Sequence, residues 1–290
     1  MSNALSPMDP AARLVFREHY LRYLMERDGV PDLKARRFSI REQLFERIDA
    51  QPVAWKGKPL IEQAVFDRAC DSDTLMPGLD EATLWAVATA KTNRAERYGV
   101  ELQLNKANHT VDLEEPQTYT EIEEFYHTRI LKDALQTLGI RMEMKTPPFL
   151  TRLAIHMMVY LPAFLTNTIV LCGEIGGVAS FRLLLEKART LFAAQPEALA
   201  RIELLFSQIL VDEVGHVHYL RSKVGPVGLF MAKLILPVLA GSMLRDIPEM
   251  KALFGAERLM KEILSADVDG AAAAFADRLE VPRVQHALAS

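Results

Sequence analysis

The sequence predicts an all-α protein. Apolar residues recur at helical spacing through most of its 290 residues, alternating Val/Ile/Thr runs are nearly absent, and Gly-rich turns are few. Half of the chain is hydrophobic and 25% is charged, enough for one large core. No repeat of solenoid length occurs, and the alanine run Ala271–Ala274 is the one low-complexity tract. A single domain over residues 1–290 is expected.

An N-terminal helical extension covers about residues 10–70, with helical patterns at Ala11–Glu26 and Lys34–Ile48. Pro52, Gly57 and Pro59 break the pattern, and Asp71–Gly78 reads as a loop. Four long helices then fill about residues 80–223. The first starts with Asp80 as N-cap and runs past Leu102. A polar connection, Asn105–Gln117, follows. The second starts at Thr120, where Thr120 and Glu123 form a capping-box pattern, and ends near Gly139. The third spans about Pro148–Phe192, with Pro162 a place to kink or break. The fourth opens at Pro196-Glu197, continues to Lys223 and is stopped by Gly225-Pro226. C-terminal helices cover about residues 227–280: an apolar one at Val227–Leu244, then Glu249–Leu264 and Gly270–Leu279.

The formal net charge of −4 and the lack of a basic stripe argue against nucleic acid as a partner. The two cysteines, Cys70 and Cys172, are far apart and form no CxxC, which argues against a disulfide framework or thiolate metal site. Together with the absence of a signal-peptide pattern over Met1–Pro10, this predicts a cytoplasmic protein. Two apolar stretches, Leu153–Cys172 and Val227–Leu244, are candidate membrane spans. The first carries His156, Pro162, Thr166, Asn167 and Thr168, and the second Lys233 and Pro237. Buried core helices are the expectation for both, with a peripheral membrane contact as the alternative. Met142, Met144, Met157 and Met158 read as core filling, and His156 as a satisfied core histidine.

Two segments carry chemistry. The second long helix contains Glu124-Phe125-Tyr126-His127 and the fourth Glu213-Val214-Gly215-His216. A carboxylate and an imidazole at i and i+3 share one helix face, so both reach one metal ion. Two such helices facing each other gather two pairs around a common point. An acidic residue precedes each pair, Glu123 and Asp212, placed to accept the free N–H of a metal-bound imidazole. These bonds are expected to cross the bundle, Asp212 to His127 and Glu123 to His216. On the third helix Glu174 lies among apolar and small residues, where a carboxylate is costly to bury alone. Antiparallel packing of the third and fourth helices brings it level with Glu213. Glu186 is the spare candidate, but Arg182, Lys187 and Arg189 surround it. The first helix offers Glu81, Glu96 and Glu101; Glu96 is preferred for its face with Trp85, Ala88, Thr92 and Gly99, and Glu101 is the alternative. His109 falls in a loop and His218 points away from His216. Tyr98, Tyr126, Tyr160 and Tyr219 are read as packing.

With these residues, about Asp80–Lys223 resembles the ferritin-like di-iron carboxylate oxygenase and oxidase superfamily. The Glu123-Glu124-x-x-His127 and Asp212-Glu213-x-x-His216 forms look like those of acyl-carrier-protein desaturases. The extra terminal helices look like the p-aminobenzoate N-oxygenase family, whose additional histidine ligand falls here on Ile209. The resemblance implies a ferritin-like four-helix bundle with additional N- and C-terminal helices. It implies two metal ions, iron foremost, with manganese or a mixed pair also suited to these ligands. Glu96, Glu124, His127, Glu174, Glu213 and His216 would bind them. It further implies O2, an external electron donor, a small organic or lipid-like substrate, and an oxidoreductase. Ferroxidase work and membrane-surface hydroxylation are the alternatives. A homodimer is expected from the base rate alone.

Overall fold

The computed structural model describes residues 4–105, 112–158 and 160–268. Helix α1 (Pro10–Asp28) opens on Asp9, whose carboxylate accepts the backbone N–H groups of Ala11 and Ala12, and it ends at Gly29, at φ +82°. A short hairpin follows, β1 (Pro31–Asp32) antiparallel to β2 (Arg37–Phe38). Asp32 accepts from the backbone of Lys34 and Ala35, and Arg36 turns the chain at φ +55°. The helix expected from Lys34 therefore starts later, as α2 (Ser39–Asp49), because a local Asp turn captures the N–H groups first. Helix α3 (Gln63–Asp71) completes the N-terminal extension.

Helix α4 (Glu81–Thr92) begins as predicted, with the Asp80 carboxylate accepting the Thr83 N–H at 2.7 Å. It does not run past Leu102. It breaks at Asn93, and α5 (Arg94–Leu104) continues after the break. Helix α6 (Pro116–Thr137) begins a turn before the expected capping box. Pro116 fits the first turn, where its missing N–H costs nothing, and the Thr120 hydroxyl instead donates to the Gln117 carbonyl at 2.9 Å. The third long segment divides into α7 (Phe149–Met158) and α8 (Ala163–Leu191), separated at Pro162. Helix α9 (Pro196–Lys223) has its predicted bounds. Helix α10 (Pro226–Asp246) precedes α11 (Pro248–Phe254) and α12 (Ala256–Ser265), which Gly255 at φ +78° divides. The predicted helix Gly270–Leu279 and His109 lie outside the described residues.

Helices α4, α6, α9 and α8 pack in a closed ring, each against the next. Neighbours run antiparallel. Trp85 Nε1 donates to the Leu184 carbonyl while Glu81 meets Lys187, and His127 meets Asp212 while Glu123 meets His216. In a ring of antiparallel neighbours α6 and α8 point the same way. The link between them must travel the length of the bundle, and α7 lies in that link. Aromatic rings fill one end: Trp85 packs edge-on to Phe192 at 5.0 Å, with Phe206 and Phe181 beyond. Helix α1 lies along α9 and α6 and closes one side of the ring.

Two expectations of burial fail. Helix α10 is not a core helix: Leu229, Ala232, Leu236 and Ala240 pack inward, but only 28% of its apolar window is buried. On α7, Met157 and His156 are exposed, because that helix rests on α5 through Ile155 and leaves its other faces open. Met142 is buried in the core as predicted.

Gly215 lies where α9 meets α1. A Cβ there would come within 2.5 Å of the Tyr20 hydroxyl and 2.9 Å of its ring. Gly215→Ala should therefore destabilise the fold by about 1–3 kcal/mol in denaturant unfolding. Adding Tyr20→Ala to it should cost less than the two single changes summed.

Candidate metal centre

Glu124 and His127 occupy one face of α6, and Glu213 and His216 one face of α9. The antiparallel register sets the two faces opposite each other, with the imidazoles 5.8 Å apart between ring centroids. His127 Nε2 lies 3.0 Å from Asp212 Oδ2, and His216 Nε2 lies 2.9 Å from Glu123 Oε2. The hydrogen bonds thus cross the bundle in the anticipated pairs. A carboxylate at Nε2 holds the proton there and leaves Nδ1 to face inward.

Inside, His127 Nδ1 faces Glu124 Oε2 at 3.2 Å and Glu213 Oε1 at 3.4 Å. His216 Nδ1 faces Glu124 Oε1 and Glu174 Oε2, each at 3.3 Å. Two triads result, Glu124/His127/Glu213 and Glu124/His216/Glu174, each with donor atoms within 4.8 Å of one another. Glu124 belongs to both and offers one oxygen to each.

The helix break at Asn93 serves this centre. The Asn93 amide donates to Glu124 Oε2 at 3.2 Å and to Glu96 Oε2 at 3.5 Å, and its oxygen accepts from Thr128 at 2.8 Å. The Asn93 side chain thus ties the interruption between α4 and α5 to α6. Glu96 reaches the cluster, close enough for the charges of Glu124 and Glu174 to act on it. It stands at the margin of both triads rather than in either. Glu101 pairs with Arg97 at 2.8 Å, and Glu186 with Arg258 at 2.7 Å on the surface. Ile209 is buried.

Four residues of this neighbourhood escape the sequence motifs: Arg27, Asp28, Arg41 and Tyr20. Arg27 and Arg41 both ion-pair with Asp212 and with Glu123, the latter at 3.1 and 3.3 Å. Asp28 sits 3.5 Å from Arg41. All are buried or nearly so. The acidic residue before each E-x-x-H announces a need for partners, but nothing in the chain order tells which of 34 Lys and Arg residues supply them. Of the tyrosines read as packing, Tyr126 and Tyr219 are buried, whereas Tyr160 is not, since it lies between α7 and α8 on the open side. Tyr126 donates to Glu42, Tyr98 faces His156, and Tyr160 is exposed.

The donor set fits divalent cations. Both oxygens of Glu213, Oε1 of Glu124 and Nδ1 of His127 are buried without a hydrogen-bond partner. Such groups cost several kcal/mol unless something satisfies them. Among the described residues no Lys or Arg pairs with Glu96, Glu124, Glu174 or Glu213. Gly177 leaves room, since a Cβ there would sit 2.9 Å from Glu213 Oε2.

Burial and neighbouring charge set the direction in which these groups shift. Burial, then Glu174, Glu96 and Glu124, push the Glu213 carboxyl well above its ordinary range. Burial, then Glu124 and Glu174, do the same to Glu96. Burial also raises Glu124, but His127 and then His216 outweigh it and hold that carboxyl low. Burial opposes charge on His127, yet Glu124 and Asp212 raise it from 6.5 to about 9. Burial opposes charge on Asp212 too, and Arg27, Arg41 and His127 keep it ionised.

A pH dependence follows. His127, with its folded-state value raised, stabilises the metal-free fold fully below about pH 6.5, and this is lost as pH rises through about 9. The raised carboxyls of Glu96 and Glu213 act in the same direction, since rising pH forces charge into the interior. The Tm of metal-free protein should fall across this range, and metal should remove the decline. Arg41→Ala leaves Asp212 and Glu123 short of a buried cation, and should cost about 3–5 kcal/mol in unfolding experiments.

Comparison with family models, curated proteins and solved structures returns no match to this chain.

Proposed function

We propose that this chain is an O2-using oxidoreductase with a di-metal carboxylate centre, iron foremost, that oxidises a small organic or lipid-like substrate. The observation that carries the reading is the pair of triads sharing Glu124. Two cations about 4 Å apart require bridging carboxylates to offset their repulsion, and Glu124 presents one oxygen to each side. Glu124, His127 and Glu213 would hold one ion, and Glu124, His216 and Glu174 the other, with Glu96 closing the open side. The ring of antiparallel helices with one long crossover supports a ferritin-like assignment.

When bound, a redox-active metal pair would supply the site for O2 reduction, with electrons passed to it from outside the chain. The chain's own residues do the rest. Asp212 and Glu123 fix each imidazole in the tautomer that directs Nδ1 inward. Arg27 and Arg41 hold the Asp212 carboxyl low and ion-pair with Glu123, which keeps both carboxylates in place behind the rings. Trp85, Phe181 and Phe206 exclude water from one end of the bundle. No flavin fingerprint or cluster-type cysteine set is present in the sequence, so electrons come from an external donor. Ile209 in place of a further histidine weakens the case for arylamine N-oxygenation, which stays one option among several.

Elemental analysis of untagged protein purified without chelator should find about two irons or manganese ions per chain. Glu213→Ala and His127→Ala should lower that content sharply while helicity persists, and Glu186→Ala should leave it unchanged. Loaded protein should consume O2 when given a chemical reductant. Metal absent even after anaerobic reconstitution with ferrous iron would sink the reading, and a large cage in solution would favour iron storage instead.

A further inference from the structure

We infer that α7, the start of α8 and the outer side of α10 form one docking face for a membrane surface carrying anionic lipid. Phe149, Leu150, Tyr160, Phe230, Leu234 and Val238 are between 62% and 80% exposed. Exposed apolar residues scattered singly are ordinary, but these gather in one place. The Thr151 hydroxyl donates to the Asp246 carboxylate, which sets the first turn of α7 against the last turn of α10. The Thr166 hydroxyl donates to the Met158 carbonyl at 3.2 Å and ties the end of α7 to the start of α8. A Cβ on Gly228 would come within 2.9 Å of the Thr168 hydroxyl, so the start of α10 lies beside α8.

Charge selects the occupant. From residue 146 to residue 173, and again from 225 to 245, the sequence holds no Asp or Glu. It holds Arg152, Lys233 and Arg245. Among the described residues Arg152 and Lys233 have no carboxylate partner, and Lys233 stands next to Leu234 in the middle of the exposed stripe. A lysine there suits a lipid surface, where the stem lies along the acyl region and the ammonium reaches a lipid phosphate. A second copy of this chain suits it less, since a two-fold interface would bury both Lys233 ammonium groups with no acid supplied by the face. Tyr160, the most exposed of the six, fits the water–lipid boundary. Helix α10 is long and apolar enough to cross a bilayer. Its inner stripe packs on α8 through Cys172 and Ala232, so it lies on the surface and does not span.

Flotation of the full chain on vesicles tests this. Wild type should rise with vesicles of phosphatidylcholine mixed with phosphatidylglycerol, and much less with phosphatidylcholine alone. Phe230→Ser combined with Leu234→Ser should weaken binding about tenfold. Lys233→Glu, which keeps the apolar residues, should weaken binding to the anionic vesicles only, and it serves as the test if the double variant loses its helical spectrum. Wild type remaining at the bottom with anionic vesicles overturns the inference. So does a solution dimer that Phe230→Ser dissolves, because a second copy then covers the face. Metal is measured in the same samples. Metal without flotation overturns the docking and leaves the oxidase reading standing; flotation without metal after reconstitution does the reverse.

Discussion

Buried like charge is the constraint around which this bundle is organised. Within each triad the carboxylate oxygens and imidazole nitrogen lie within 4.8 Å. At that range and an effective dielectric of about 20, one pair of like charges costs roughly 3–4 kcal/mol. The two glutamate pairs of the triads, Glu124 with Glu213 and Glu124 with Glu174, would together cost an amount comparable to the roughly 5–15 kcal/mol stability of a typical domain. The centre must therefore hold protons or cations. In the metal-free chain, burial and the neighbouring carboxylates push Glu96 and Glu213 toward the protonated form, and Glu124 and Asp212 push His127 toward the charged form. Two divalent cations would replace both arrangements at once.

The N-terminal extension acquires a role from the same constraint. Each imidazole needs a carboxylate behind it, and each of those carboxylates is itself buried. Arg27 at the end of α1 and Arg41 on α2 supply the compensating charge. The Tyr20 ring fits against Gly215, which allows α1 to approach the helix that bears Glu213 and His216. The extension is thus part of the centre's wall rather than an appendage. The opposite side of the bundle is built differently. There α10 covers α8 with a narrow stripe of small and apolar side chains and leaves its outer face bare.

The helices were legible to different degrees. The bounds of α9 and the cap of α4 rest on local chemistry, a proline at the start and an aspartate accepting a backbone N–H, and such signals survive folding. The break at Asn93 and the start of α6 at Pro116 were not anticipated. In the first case the residue at the break bonds to Glu124 and Thr128 on another helix, a contact that local sequence does not reveal. In the second a proline and a capping box lie a turn apart, and the helix begins at the proline, with the Thr120 hydroxyl bonded back to the Gln117 carbonyl.

By itself the sequence determined the helical class and the two E-x-x-H pairs, because i, i+3 spacing puts side chains on one face in any helix. Residue order also set Glu123 and Asp212 one place ahead of those pairs, where they reach across to the opposite imidazole. The sequence preferred Glu96 over Glu101 on its helix face, and only the tertiary structure brought Asn93 between Glu96 and Glu124 while pairing Glu101 with Arg97. Only it chose Arg27 and Arg41 among many cations, because pairing across more than eighty residues of chain leaves no periodic trace. Only it left the outer face of α10 uncovered, because an apolar helix reads alike whether protein packs on one side of it or on both.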